Sequence, residues 1–352
     1  MTRNVTVVVP TYNRYVRLAR LLKYYDSCGA PFPMLILDSS SEFSEIPGLC
    51  HSKQTIAHIR FSSSLSPIAK IVQGLEKVDT GYVVLWADDD FLVPSSIDKA
   101  IAFLEQNNDY SVAHGQSGLF LLNSRNRMDQ VVPYPQASIT QDTAAERLRS
   151  FLKAYFTIFY SVHRTAMLKP NMNVAQRYGF GHYWGELALA CLSIIQGKAH
   201  QMPCLYMLRE VHEGSGSWSE ANQQTDFFDW VAGATFSRRY SEFRDCLAKA
   251  ICETDALDMS VAQQIVKEAF SAYLALGLNA KLKMKETEKS TLRRLRHRVG
   301  ASFPRVRSAL HLTQSRMPGQ AMRMSLPALL REGSPYHHVF VRIYEAISGN
   351  SD

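Results

Sequence analysis

The sequence predicts an α/β fold: a mixed sheet flanked by helices, followed by a mostly helical C-terminal extension. Three observations carry this reading. Continuous apolar runs such as Val5-Thr6-Val7-Val8-Val9 read as strands buried on both faces, as in a parallel sheet. They alternate with helical apolar spacings in the order β-α-β-β-α-β, that of a nucleotide-binding α/β domain. From about residue 226 onward helical patterns dominate.

Taken in order, the first strand, Val5 to Val9, is stopped by Pro10. Tyr15 to Tyr25 carries Val16, Leu18, Leu21, Leu22 and Tyr25 at helical spacing. Pro33 to Leu37 is a second strand ending in Asp38 and Ser39-Ser40-Ser41, and Thr55 to Phe61 is a third. Pro67 to Val78 fits a helix with Ile68, Ile71, Val72 and Leu75 on one face. Gly81 breaks it before the strand Tyr82 to Trp86. Asp98 to Gln106 is a helix capped by Ser95 or Ser96 behind Pro94. Tyr110 to Asn123 reads as one or two strands bent at Gly115 and Gly118, and Thr143 to Ala154 as an amphipathic helix. Phe156 to Val162 reads as a strand, and a helix beginning near Ala166 is expected to be interrupted by Pro170. Trp184 to Gln196 is helical, and Pro203 to Leu208 is a late strand. Later helices are expected at Phe227 to Tyr240, Val261 to Leu276, Ser290 to Arg298 and Val339 to Ile347.

Apolar residues make up 46% of the 352, enough for a large core and against global disorder. No apolar run reaches the length of a bilayer span. The first residues lack a secretory pattern, so no signal peptide is expected. Six cysteines, at 28, 50, 191, 204, 246 and 252, form no CxxC pair. They read as reduced core thiols of a cytoplasmic protein rather than a zinc site. The net charge is +7, with a basic tract between Lys281 and Arg342 that is densest at Arg293-Arg294-Leu295-Arg296-His297-Arg298. Such a tract either attracts a polyanionic surface or forms a solvated helix face. Apolar residues interleaved from Leu292 to Val306 would suit an interfacial helix on an anionic membrane. Docking on the chain's own core, or in a homodimer, is the other reading.

Polar residues end three of the strands: Thr11-Tyr12-Asn13, Asp38-Ser39 and Asp88-Asp89-Asp90. In open α/β sheets ligands collect at the carboxyl ends of strands. Three adjacent acids after the apolar run Tyr82 to Trp86 repel one another and are costly to desolvate. A hard divalent cation, Mg²⁺ or Mn²⁺, would make them tolerable. Such an ion takes one or two carboxylates together with phosphate oxygens. The plain alternative is a charged turn. No GxGxxG follows the first strand, which argues against a dinucleotide-binding dehydrogenase.

Residues 5 to 122 resemble the catalytic domain of inverting GT-A glycosyltransferases of the family 2 type. Val7-Val8-Val9-Pro10-Thr11-Tyr12-Asn13-Arg14 resembles the family's opening strand and P-x-Y/F-N-R turn. Leu35-Ile36-Leu37-Asp38-Ser39-Ser40 resembles its second strand, whose terminal acid contacts the nucleotide base. Gly81 to Asp90 resembles the strand leading to its DxD metal motif. Two departures stand out. Asp38-Ser39-Ser40-Ser41 replaces the usual D-D-G-S, and Ala87 stands where a D-x-D-D spelling has its first acid.

The resemblance implies a nucleotide-sugar pocket of Pro10, Thr11, Tyr12, Arg14, Asp38, Lys70, Asp88 and Asp89. It also implies a metal held by Asp89 or Asp90, with Asp88 near the ribose. Tyr183-Trp184-Gly185-Glu186-Leu187 resembles the segment carrying the family's catalytic base, which implies that role for Glu186. Arg209-Glu210-Val211-His212 resembles its R-x-x-H segment, so His212 is expected on the metal or the diphosphate. Gly214 to Ser219 would form a lid with Trp218 stacking on sugar. The implied domains are a GT-A catalytic domain over 1–225 and a helical, basic extension over 226–352. The catalytic domain divides into a nucleotide-binding half, 1–122, and an acceptor-side half, 123–225.

The implied activity is metal-dependent, inverting transfer from a UDP-sugar to a glycan or lipid-linked acceptor in surface polysaccharide synthesis. The expected location is cytoplasmic, with peripheral contact at the inner membrane face. No nucleic-acid partner is expected. Two other readings stay open. One is a metal-dependent nucleotidyltransferase, although Pro10 to Arg14 lacks the glycine- and arginine-rich loop that class places after its first strand. The other is a catalytically silent nucleotide- or polyanion-binding scaffold.

Overall fold

The structure, a computed structural model, describes residues 4–29, 32–42, 55–177, 182–212, 227–290 and 324–348. Of residues 182, 183, 281 and 283–290 it describes the backbone alone. The first six elements are β1 (Val5–Thr11), α1 (Tyr15–Ser27), β2 (Met34–Asp38), β3 (Ile56–Arg60), α2 (Pro67–Leu75) and β4 (Tyr82–Leu85). This is the expected β-α-β-β-α-β order. The chain continues through β5 (Phe91–Leu92), α3 (Pro94–Gln106), β6 (Tyr110–Leu122) and β7 (Met128–Tyr134). Then come α4 (Ala144–Lys153), β8 (Val162–Arg164), α5 (Thr165–Arg177), α6 (His182–Gln196) and β9 (Lys198–Glu210). The C-terminal part holds α7 (Phe227–Ala232), α8 (Phe236–Asp255), α9 (Met259–Ser290), α10 (Leu326–Leu330) and α11 (His337–Ser348).

The strands form one mixed sheet in the order β3-β2-β1-β4-β8-β6-β9-β5, with β7 paired to β6. The pairs β1–β2, β1–β4 and β2–β3 are parallel, and β4–β8 is antiparallel; β1, β2 and β4 are buried on both faces, as their apolar runs suggest, whereas β3 is a partly exposed edge strand. Period-2 alternation sends neighbouring side chains to opposite faces. Val7, Met34, Ile36, Val84 and Trp86 join one core with α1, α3 and α11. Val8, Leu35, Leu37, Val83 and Leu85 join another with α2 and α5. Tight approach of β6 and β9 explains one glycine: a Cβ at Gly115 would lie 2.5 Å from the Cys204 carbonyl oxygen.

Five expectations change. Neither Ser95 nor Ser96 caps α3: the helix starts at Pro94 with Val93 at its N-cap, and the Ser96 hydroxyl donates to the Leu205 carbonyl instead. The strand expected at Phe156 to Val162 is β8, only Val162–Arg164. Phe156 and Ile158 instead fill the core beneath α4 and α6, and a Tyr134 hydroxyl takes the Thr157 N–H at 3.0 Å. Pro170 does not interrupt α5; it and Ala166, four residues earlier, face solvent, so water can take the freed carbonyl. The single helix expected over Phe227 to Tyr240 breaks at Gly233 into α7 and α8. Strand β7 was not expected; it folds back on β6 across a turn where Asn126 has φ 54° and the Asn123 side chain accepts from the Arg125 and Arg127 amides.

The C-terminal helices pack on the rest of the described chain. Helices α8 and α9 lie against α4 and α6, where Trp184 meets Trp230, Phe243 and Phe270. Asp255, at the end of α8, caps α4 by accepting the Ala144 and Ala145 amides at 2.8 and 2.9 Å. Helix α11 returns to α1, placing Phe340, Ile343 and Ile347 in the same core as β1. Among the described residues no helix is long and apolar enough to cross a membrane.

Candidate active site

The strand ends converge as the topology requires. Thr11, at the end of β1, sits in register with Asp38 at the end of β2. Its hydroxyl donates to Asp88 at 2.7 Å. Asn13 adopts φ 53°, a left-handed geometry that asparagine tolerates. Its N–H donates to the Ser40 hydroxyl at 2.8 Å, and its side chain accepts from the Ser41 amide at 3.0 Å. The two strand-end loops are thereby stitched together. Lys70, fully buried on α2, donates to the Thr11 carbonyl at 2.7 Å and the Ser39 hydroxyl at 2.9 Å. Burial pulls its ammonium down to about 8, against the opposing pull of Asp88 and Asp38.

Asp38 is fully buried and densely partnered. The Ser40 amide donates to Oδ1 at 2.8 Å, while Tyr15 and Arg60 donate to Oδ2 at 2.9 and 2.6 Å. His58 lies 3.1 Å from the same oxygen. Burial pushes the carboxyl up, but the Ser40, Arg60 and Tyr15 hydrogen bonds prevail and hold it at about 2. Pro10 stays inside β1, and Tyr12 follows it half-buried.

The three acids at the end of β4 are all buried, and arginines face each of them. Arg14 donates to Asp88 at 3.2 Å and Asp89 at 2.9 Å. His212 Nε2 lies 2.9 Å from the same Asp89 oxygen, Oδ2. Asp90 accepts the Glu210 amide at 3.0 Å and lies 3.4 Å from Arg209 Nε. Glu210 is paired with Arg17 at 3.4 Å and with Arg20. Burial and the Asp89 charge push Asp88 up to about 6 and Asp90 well above its ordinary value. Asp89 feels the same burial, but His212 and Arg14 outweigh it and hold it low.

The donor set fits a hard divalent cation only in part. Asp89 and His212 present an oxygen and a nitrogen close together, the small protein contribution that Mg²⁺ or Mn²⁺ accepts when phosphates complete its shell. Asp90 is engaged with the Glu210 amide and Arg209 of β9. Among the described residues no group of three or more His, Cys, Asp or Glu side chains could hold a metal by itself.

Glu186 is half-buried on α6. The Tyr155 hydroxyl donates to it across a long 3.5 Å. Burial first, and then the Glu186 charge, raises Tyr155 well above the usual phenol range, so the hydroxyl stays a donor. Arg209 stacks over the Tyr160 ring at 4.9 Å. Burial lowers its guanidinium, but Tyr160, Asp90, Tyr134 and Glu186 together hold it above its ordinary value. Arg209 therefore lies within electrostatic reach of both the strand-end acids and Glu186.

Of the residues singled out from sequence, Thr11, Arg14, Asp38, Lys70, Asp88, Asp89 and His212 form one connected network. Asp90 joins it through Glu210, whose amide it accepts and whose carboxylate pairs with Arg20, a donor to the Asp89 carbonyl. Glu186 stands to one side, and Trp218 and the lid around it lie outside the described residues, as does the basic stretch Arg293 to Arg307. Sequence reasoning missed Tyr15, His58 and Arg60 around Asp38, the side chains of Arg17, Arg20, Arg209 and Glu210, and Tyr155. The arginines did carry a signal. Arg17 and Arg20, three residues apart, share one side of α1, and Arg14 stands at its N-cap.

Residues 6–169 match the model of the family described as glycosyl transferase family 2. The structure of S. aureus TarS 1-349 in complex with UDP-GlcNAc is similar, with 15% identity and a TM-score of 0.52 over 99% of this chain and 89% of that one. A second structure of S. aureus TarS 1-349 gives 14% identity and a TM-score of 0.49 over the same shares. The curated proteins yield no match. The chain is therefore a glycosyltransferase, carrying a glycosyl transferase family 2 domain over residues 6–169 on a GT-A-like fold.

Proposed function

We propose that the chain transfers a sugar, with inversion, from a UDP-sugar to a glycan or lipid-linked acceptor in surface polysaccharide synthesis. The observation that carries the proposal is the hydrogen-bonded network joining the ends of β1, β2 and β4. It makes a polar floor at the carboxyl edge of the sheet, where a nucleotide diphosphate fits. The similarity to a TarS structure holding UDP-GlcNAc supports UDP as the nucleotide.

In this reading Asp38 Oδ1 uses its remaining lone pair to accept from the base, since a carboxylate oxygen takes more than one donor. Pro10, Thr11 and Tyr12 line the base and ribose, and Lys70 keeps the floor rigid and positive. Asp88 faces the ribose. Asp89 and His212 would hold a divalent cation that neutralises the diphosphate as it leaves. Asp90 serves as the hinge between β4 and β9 rather than as a ligand. Glu186, on the acceptor side, takes the proton from the attacking hydroxyl. Tyr155 orients that carboxylate, and Arg209 balances charge between Glu186 and Asp90. Residues 1–122 would form the nucleotide half of the catalytic domain, 123–225 its acceptor half and 226–352 a helical extension. The basic tract would bring the enzyme to an anionic cytoplasmic membrane face.

Glu186→Gln tests the reading. The variant should bind UDP within a few-fold of wild type and lose transfer by about 10²-fold or more, the scale of an acid–base contribution. Calorimetry with UDP and a transfer assay across UDP-sugars read the two outcomes separately. Near-normal transfer would remove Glu186 as the base. Stabilisation by no uridine nucleotide in a thermal screen would remove UDP as the donor.

A further inference from the structure

The acid cluster already contains its own cations. Asp88 and Asp89 share the Arg14 guanidinium, Asp90 faces Arg209, and Glu210 is held by Arg17 and Arg20. Four acids thus meet four arginines. A divalent ion added to this balanced set would find little net attraction. It would also find its best oxygen occupied: Asp89 Oδ2 takes a hydrogen bond from Arg14 at 2.9 Å and lies 2.9 Å from His212. Arg14 is aimed there by the left-handed Asn13, which is tied to Ser40 and Ser41. Its side chain is about one-fifth exposed, so it has room to leave.

From this we infer that Arg14 is a resident counter-cation that excludes free metal from Asp89 and yields to the metal only when a nucleotide diphosphate arrives with it. The inference rests on the metal-dependent reading above and deepens it. The ligand class is a divalent cation bound to a nucleoside diphosphate. Displacement of Arg14 from Asp89 frees a guanidinium beside the incoming phosphates, and guanidinium pairs with phosphate in a two-pronged geometry. Charge is then conserved through the exchange: the cation takes over the carboxylate, and the phosphates take over the guanidinium.

The test measures Mn²⁺ binding to the full chain by the loss of the free-ion resonance signal, with and without UDP. Wild type should bind Mn²⁺ weakly alone and at least about tenfold more tightly with UDP, by simple charge linkage. Arg14→Gln should bind Mn²⁺ alone at least about tenfold more tightly than wild type, and Arg14→Lys should fall between them. A second measurement covers the case in which the glutamine variant does not fold. Arginine side-chain NMR of wild type should show a rotationally hindered Arg14 guanidinium whose signal moves on adding Mg²⁺ with UDP, as its partner changes from carboxylate to phosphate, but not on adding Mg²⁺ alone. Equal Mn²⁺ affinity in folded wild type and Arg14→Gln would overturn the inference, as would an Arg14 signal unmoved by saturating Mg²⁺ and UDP. The underlying metal reading fails in a different way: UDP binds, yet no Mn²⁺ binds to any form in its presence, and the inference falls with it.

Discussion

Asp38 accepts donors from Ser40, Tyr15 and Arg60 while fully buried, and this has a consequence for acid stability. Its carboxyl sits at about 2 instead of 3.8. A folded-state value below the unfolded one means that the unfolded chain binds the proton more readily. The stabilisation is therefore fully present above about pH 4 and is lost as pH falls through about 2. Its size is about 2 kcal/mol, since each tenfold change in proton affinity is worth roughly 1.4 kcal/mol. Asp38→Asn should cost about that much near pH 6, measured by urea unfolding, and the gap from wild type should close between about pH 4 and pH 2. A gap independent of pH would mean that shape rather than charge makes Asp38 fit. The residue was legible in sequence as a strand-end acid. Its partners were not, because His58 and Arg60 come from β3, whose place beside β2 is a long-range pairing that no local pattern encodes.

At the scale of elements, the strands with unbroken apolar runs were the legible ones. β1, β2 and β4 could be read directly because burial on both faces leaves no polar position to confuse the period. β8 and β7 could not. The first is three residues long, and the apolar run before it packs under helices. The second exposes the adjacent residues Asp129 and Gln130, which breaks the strand's alternation. Helix α11 was visible as a helix, but not the surface it covers. It lies on α1, whose N-cap Arg14 and opening turns, with Arg17 and Arg20, face the acids. Phe340 is fully buried there. Phe340→Ala should destabilise the chain by about 3–5 kcal/mol, the usual cost of emptying a packed phenylalanine site. It should also weaken UDP binding by loosening α1 from the sheet. Urea unfolding and UDP calorimetry check both parts. Normal stability would show that α11 rests on the surface, and full stability loss with unchanged UDP affinity would uncouple α1 from the site.

Across the whole molecule, one sheet serves cores on both of its faces. On β6, Val112 enters the core under α4, α6, α8 and α9, and its neighbour Ala113 enters the core under α1, α3 and α11. A strand cannot lose one face and keep its register, because a slip by one residue exchanges the two. The described C-terminal helices contribute to both: α8 and α9 to one, α11 to the other. A helical extension added to a finished domain would unfold separately. Helices that complete the faces of a shared sheet should unfold with it, despite a chain length at which intermediates are common. The tryptophans allow a direct measurement. Trp86 reports the α1 face, and Trp184 and Trp230 report the α8–α9 face. Both variants carry Trp218→Phe; in one Trp86 is also replaced by Phe, and in the other Trp184 and Trp230 are also replaced. The fluorescence midpoints in urea, each compared with circular dichroism of the same variant, should coincide within error. Two resolved transitions, with the Trp184 and Trp230 signal lost first, would make the C-terminal helices a unit that folds apart from the glycosyltransferase domain.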